Sequence, residues 1–334
     1  IRLVQQRVKF QFGADWQVFP FGSLLVRGFG SQAACLDLLV CPHDEATDAI
    51  LEEKRKALPG ALAALGPQGY TILASDGGKK CKIRNESKDL DVKVKVMKLA
   101  DASWLLRSFQ LQKAYAEVHP KVAELVRCIK AWAEAELRAD TKKQCSSYCH
   151  TLMVIFFLQV RYKFPVWDPA FFQGLYGVEI IELDWQPPSL PSLFDLIGQY
   201  FSFYVDHVDW AQEVVSVRLG RRAYRLEGTL DFFQRPTWTF ENMPDAIGWQ
   251  ALVIEDPVDI DGRNTNLAAG LDHMTLEDLE WKYANVLDEL RLRRVPPSLA
   301  ASGVVDETSG SPTNFARPVA MPPTVQQWAR QCKT

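Results

Sequence analysis

Phe21-Gly22-Ser23 leads, twelve residues after the serine, to Cys35-Leu36-Asp37-Leu38. A strand running into Gly-Ser lets the backbone come close to a phosphate, because glycine tolerates unusual dihedrals and the exposed amides and hydroxyl donate to oxygen. Side chains two apart in a strand share a face, so a following Asp-x-Asp strand would aim two carboxylates the same way. Here Cys35 stands at the first of those positions and Asp37 at the second. The pattern suits a nucleoside triphosphate, with a thiol where an oxygen ligand would be.

Outward from this stretch, residues 1 to about 100 read as short apolar strands with one helix. Strands are expected at 17–21, 36–40 and 90–96, and the helix at 45–58. From about Ala102 the period becomes helical. Leu105, Leu106 and Phe109 open one helix, and Val122, Leu125, Val126 and Ile129 mark a second. Residues 148–159 are apolar nearly all round, as a central core helix should be. Further helices are expected at 193–208 and 276–292. A stretch rich in Ser, Gly and Pro follows, which reads as an extended tail. These periods divide the chain into an α+β domain at 1–101, a mainly helical domain at 102–296 and a tail at 297–334.

At 334 residues two domains are the default and a sizeable core is available. The net charge of -3 excludes a blanket of positive charge for nucleic acid. Local clusters, Lys79-Lys80 with Lys82 and Lys142-Lys143, could still track a phosphate backbone. No apolar run reaches the roughly 18 residues of a membrane span, so no membrane role is expected. Seven cysteines without paired C-x-x-C spacing point to a reduced, intracellular setting. Cys145, Cys149 and His150 lie close together, but an apolar helical pattern contains them, which favours buried thiols over zinc ligands.

Laid out in order, these segments resemble the terminal uridylyltransferase and nontemplated poly(A) polymerase family of the DNA polymerase β-like nucleotidyltransferases. The resemblance runs from about residue 17 to 292. It rests on Phe21-Gly22-Ser23 with Leu36-Asp37-Leu38, Leu90-Asp91-Val92, Leu105-Leu106-Arg107-Ser108-Phe109, Ile129-Lys130-Ala131-Trp132, Ser146-Ser147-Tyr148 and Ile254-Glu255-Asp256-Pro257. It implies a mixed-sheet palm, a helical poly(A) polymerase-type domain and a catalytic cleft between them. It implies template-independent addition of nucleotides to an RNA 3′ end, UMP from UTP above all. RNA-processing proteins are implied as partners, and mitochondria as a compartment.

The same resemblance implies roles for single residues. Asp37 and Asp91 match two of the family's three carboxylates for Mg²⁺ or Mn²⁺ and would be the catalytic pair. Gly22 and Ser23 match its phosphate turn, Ser103 a ribose or phosphate contact, Lys130 a lysine on the β- and γ-phosphates, and Ser147 a phosphate-contacting serine. Tyr148 matches the aromatic on which the base stacks, and Asp256 with Asp259 the acidic pair that reads its edge. An acceptor-only carboxylate suits uracil N3-H, which adenine N1 cannot supply. Plainer readings stand beside these. Asp91, Lys93 and Lys95 would share a solvated strand face, Tyr148 could be core, and Asp256-Pro257 could cap a turn.

The chain departs from the family pattern at several positions. Glu134 replaces a second lysine, Ala102 an asparagine, and Gly262-Arg263 a histidine. Cys35 matters most, since a soft thiol is a poor partner for hard Mg²⁺. Asp44 or Glu45 could substitute, water could fill the gap, or the protein could bind nucleotide without turning it over. Three functions follow: a uridylyltransferase, a poly(A) polymerase using ATP, and a nucleotide- or RNA-binding scaffold.

Overall fold

The computed structural model describes residues 1–26, 35–77, 79–137, 145–172, 185–210, 212–224, 252–258, 266–269, 271 and 273–294. The tail expected at 297–334 lies outside them. The chain forms two compact units. One comprises Ile1–Arg127, Pro165–Pro187 and Asp256–Thr265, the other Cys128–Phe164, Pro188–Glu255 and Asn266–Thr334.

The first unit is the expected mixed α+β assembly. Its elements are α1 (Arg2–Phe12), β1 (Trp16–Phe21), β2 (Leu36–Pro42), α2 (Asp48–Ala63), β3 (Tyr70–Asp76), β4 (Lys80–Asn85), β5 (Leu90–Val96), α3 (Leu99–Val118) and the start of α4 (Pro120–Glu136). Five strands form one sheet in the order β1-β2-β5-β4-β3. Only β2 and β5 are parallel neighbours; every other pair is antiparallel.

Strand alternation gives the sheet two unlike faces. Leu36, Leu38, Val40, Val92, Val94, Val96, Cys81 and Ile83 are buried together on one face. Val4, Val8 and Phe12 of α1, and Leu51, Leu58 and Leu62 of α2, pack onto it. The single helix expected before residue 100 is therefore corrected to two. The reason is visible in α1, whose buried residues recur at every fourth position between mostly exposed ones. On the opposite face α3 covers only one end, through Ala102 and Leu106 against Phe21, Leu39 and Cys41. The rest of that face carries charge.

The second unit holds the remainder of α4, then α5 (Ser147–Tyr162), α6 (Leu193–Asp206) and α7 (His273–Arg294), with a small sheet of β6 (Glu213–Val215), β7 (Ala223–Tyr224) and β8 (Val253–Ile254). From Cys149 to Gln159 every residue of α5 is buried, which is why its sequence is apolar all round. Tyr200, Tyr204 and Tyr283 are fully buried beside Trp132, Phe201 and Trp210 with ring centroids 5.0–5.9 Å apart. Burial leaves their hydroxyls needing partners. Tyr200 and Tyr283 bond each other at 2.8 Å, and Tyr204 donates to the Met153 carbonyl. Among the described residues no helix is long and apolar enough to cross a membrane.

Candidate active site

Two groups of the expected residues fall in the first unit and one in the second. In the first unit β2 and β5 run parallel with Leu36 beside Val92 and Asp37 beside Lys93. Cys35, one step before that register begins, thus comes level with Asp91. Cys35, Asp37 and Asp91 share the charged face, as alternation requires. Gly22 follows β1 with φ at +92°, a region that favours glycine, and its backbone lies against the Asp37 carboxylate. Ser23 opens a short 3-10 turn there, and Ser103 sits half-buried on the first turns of α3.

The surroundings of the two carboxylates differ. Asp37 is pushed above the usual carboxylate range, chiefly by burial, against the opposing pull of Lys93, Lys95 and Lys80. Asp91 is held below it, first by the hydrogen bond from Lys82. Lys82 Nζ lies 2.6 Å from Asp91 Oδ2, and Arg84 Nη1 donates to Oδ1 at 3.2 Å. Both cations come from β4, where Arg84 is level with Asp91 and Lys82 with Lys93. The solvated-face reading and the carboxylate-site reading of Asp91 therefore describe one and the same surface.

These residues do not fit a centre for two Mg²⁺ ions. Such ions need several hard oxygen ligands in near-octahedral array. Both Asp91 oxygens receive cationic donors, Asp37 is partly desolvated, and Cys35 offers sulfur. Among the described residues no group of three or more His, Cys, Asp or Glu is placed to hold a metal. Asp44 and Glu45 do not substitute. They follow the far end of β2, and at ~3.3 Å per residue Asp44 lies about 20 Å along the chain from Asp37. Its side chain is 92% exposed beside His43.

Asp256 is buried in the same unit. Oδ2 accepts the Trp104 indole N–H and Oδ1 accepts the Val258 amide at 3.2 Å. The turn-capping role weighed for Asp256-Pro257 is thus present. Its companion Asp259 lies outside the described residues, as do Lys142, Lys143, Gly262 and Arg263.

The second unit holds Lys130, Ser147 and Tyr148, and sets Lys130 near His150, which the sequence analysis weighs only as a zinc ligand. Ser146 caps α5 by accepting the Cys149 amide at 3.2 Å, which sets exposed Ser147 and half-buried Tyr148 in the first helical turn. Burial lowers Lys130 to about 8. His150 is held neutral, its pKa lowered to about 4 by burial and then by the nearby Lys130 charge. Its Nδ1 has no hydrogen-bond partner among the described residues. Cys145 and Cys149 are free thiols, and the Cys149 sulfur lies 3.2 Å from Ser146 Oγ.

Solved structures with this architecture are known. Terminal uridylyl transferase 4 from Trypanosoma brucei with bound ATP superposes with a TM-score of 0.65 at 20% identity, over 88% of this chain and 90% of that one. The crystal structure of mtPAP in complex with GTP also gives 0.65, at 17% identity, over 89% of this chain and 63% of that one. The chain has the fold of the terminal uridylyltransferases and poly(A) polymerases. Sequence similarity points the same way: human terminal uridylyltransferase 7 is 28% identical over 186 residues, half of this chain and 11% of that protein. No protein-family model matches. Within this uridylyltransferase-like fold, Arg84 is a candidate that the sequence analysis does not name, and Lys82, taken there only as part of a lysine cluster, gains a place beside Asp91. The alternating Lys80, Lys82 and Arg84 between buried Cys81 and Ile83 are their signal.

Proposed function

We propose that the chain binds a nucleoside triphosphate and an RNA 3′ end, as terminal nucleotidyltransferases do, with UTP the favoured nucleotide. The observation that carries this is the Gly22-Ser23 turn packed directly on Asp37, at the margin of a sheet face bearing Lys80, Lys82, Lys93 and Lys95. Exposed amides and a hydroxyl beside a row of cations suit phosphate oxygens. Ser103, Lys130 and Ser147 would add phosphate and ribose contacts, Tyr148 a stacking surface, and Asp256 with Asp259 the choice of base. Structures of the trypanosomal relative hold ATP, CTP, GTP, and UTP with UMP. The preference for UTP here therefore rests on the acceptor chemistry of the acidic pair.

Two readings of the outcome follow. In the first, Asp37 and Asp91 support transfer: the RNA 3′ oxygen bonds to the α-phosphorus, pyrophosphate leaves and UMP is added, in the RNA-processing and mitochondrial settings that the resemblance implies. In the second, nucleotide and RNA are held without turnover. Cys35 and the ion pairs of Asp91 favour the second, since they leave no set of oxygen ligands for a metal-assisted displacement. A tailing assay with each of the four NTPs, run beside equilibrium binding, separates them. UTP-dependent extension selects transfer, and binding without extension selects the scaffold. Absence of binding refutes both.

A further inference from the structure

We propose that Lys82 is a built-in counter-ion that replaces a divalent cation, so that the open sheet face holds the phosphates of a nucleoside triphosphate without metal. The proposal rests on the nucleotide-binding part of the function above, which both readings share. It starts from the disagreement between the residues present and a two-metal centre. Where a carboxylate set would be expected, the chain has one thiol, one partly desolvated carboxylate, and one carboxylate already neutralised by a neighbouring strand.

Lys82 is placed for this role by register. It stands on β4 level with Lys93 of β5, which is itself level with Asp37 of β2, so one row across the sheet reads Lys82, Lys93, Asp37. The next row reads Arg84, Asp91 and, one step before the recorded pairing, Cys35. The Lys82 ammonium is 2.6 Å from Asp91 Oδ2, the carboxylate in whose row Cys35 stands. It thus sits on one of the carboxylates that would otherwise face an ion. Its charge is fixed by the fold, with no ion to recruit.

The charge balance of the face points the same way. Lys80, Lys82, Arg84, Lys93 and Lys95 share it with Asp37 and Asp91. Even with Asp76, level with Lys80, and Asp89, bound to Arg84, five cations meet four carboxylates. Lys80, Lys93 and Lys95 make no ion pair with a carboxylate among the described residues. A face of bare carboxylates would repel a triphosphate unless metal ions intervened, whereas this one attracts the polyanion directly. Lys82 remains half-exposed, so a phosphate oxygen can share its ammonium with Asp91.

The test is equilibrium dialysis of labelled UTP against the full chain, in EDTA and in Mg²⁺. The expected Kd in EDTA is within threefold of that in Mg²⁺. Lys82→Ala should weaken binding in EDTA at least tenfold, Lys82→Arg should stay within threefold of the unmodified protein, and a thermal melt of each variant confirms its fold. Removal of phosphates should blunt the effect, so UMP should lose far less than UTP on Lys82→Ala. Tight binding in Mg²⁺ that collapses in EDTA would overturn the proposal and leave the nucleotide-binding function standing. Unchanged UTP binding by a folded Lys82→Ala would also overturn it. No binding in either buffer would remove the function and the proposal together.

Discussion

Gly22 lies so close to Asp37 that a β-carbon at position 22 would fall 2.7 Å from Asp37 Oδ2. The turn and the carboxylate are thus one unit: the glycine is needed both for its φ of +92° and for the space it leaves. A phosphate bound by the turn would therefore lie beside Asp37 without any further adjustment of the chain.

Gly22→Ala should destabilise the first unit by about 1–3 kcal/mol, the usual cost of a side chain in a strained backbone region. It should also displace Asp37 and weaken UTP binding. Chemical denaturation and equilibrium dialysis of the same variant check both halves. Asp37→Asn, which removes a partly desolvated charge but keeps the shape, should change stability by no more than about 1 kcal/mol.

Asp256 and Tyr148 should part company on substitution. Asp256→Ala leaves the Trp104 indole N–H without its buried acceptor, and should cost about 1–3 kcal/mol of stability. If Asp256 also reads the base, the UTP-to-ATP preference should narrow in the same variant. Tyr148→Ala removes a half-exposed ring at the first turn of α5. It should weaken UTP and ATP alike, by about 1–3 kcal/mol, the usual worth of a base stacked on an aromatic. Competition binding with the two nucleotides reads the difference.

Much of the architecture is legible in the amino-acid sequence because burial wrote it there. β5 carries apolar residues at alternate positions, β2 is a nearly continuous buried run after Asp37, and α5 is apolar throughout because it is buried from Cys149 to Gln159. β4 escapes such a reading, since Lys80, Lys82 and Arg84 dominate it and only Cys81 and Ile83 betray the alternation. With β4 goes its register, and with its register the pairing of Lys82 and Arg84 to Asp91. The glycine turn and Asp37 can be found from spacing, but what faces Asp91 cannot. Asp256 is named from the sequence, but its bond from Trp104 is not legible there, because the two are 152 residues apart.

Lys130 predicts a pH dependence whose sign is fixed. Burial lowers it to about 8, so near pH 8 the unliganded protein holds it only partly protonated. Triphosphate binding selects the ammonium, so UTP should take up a fraction of a proton at pH 8–8.5, and affinity should fall as pH rises further. Calorimetry in buffers of different ionisation enthalpy measures the uptake; Lys130→Met should abolish it. For folding the sign is opposite. The unfolded lysine, near 10.4, binds more protons than the folded one between about 8 and 10.4, so this residue makes stability rise with pH across that window.

The last prediction concerns what would give the site a metal. Cys35→Asp supplies the missing hard ligand, yet Asp91 stays bound to Lys82 and Arg84. The single variant should therefore gain little Mg²⁺ dependence, and Lys82 should simply acquire a second carboxylate partner. Cys35→Asp combined with Lys82→Met removes the resident cation and leaves the introduced carboxylate facing Asp37 and Asp91. Repulsion among the three raises their affinity for a divalent ion. UTP binding by the double variant should become Mg²⁺-dependent, by tenfold or more between EDTA and Mg²⁺, and any UMP addition to an RNA 3′ end should appear or rise in it first. The two effects should be non-additive, because each substitution changes the charge that the other meets. A double-mutant cycle in both buffers measures that coupling. Full Mg²⁺ dependence from Cys35→Asp alone would show that Lys82 yields its place to an ion.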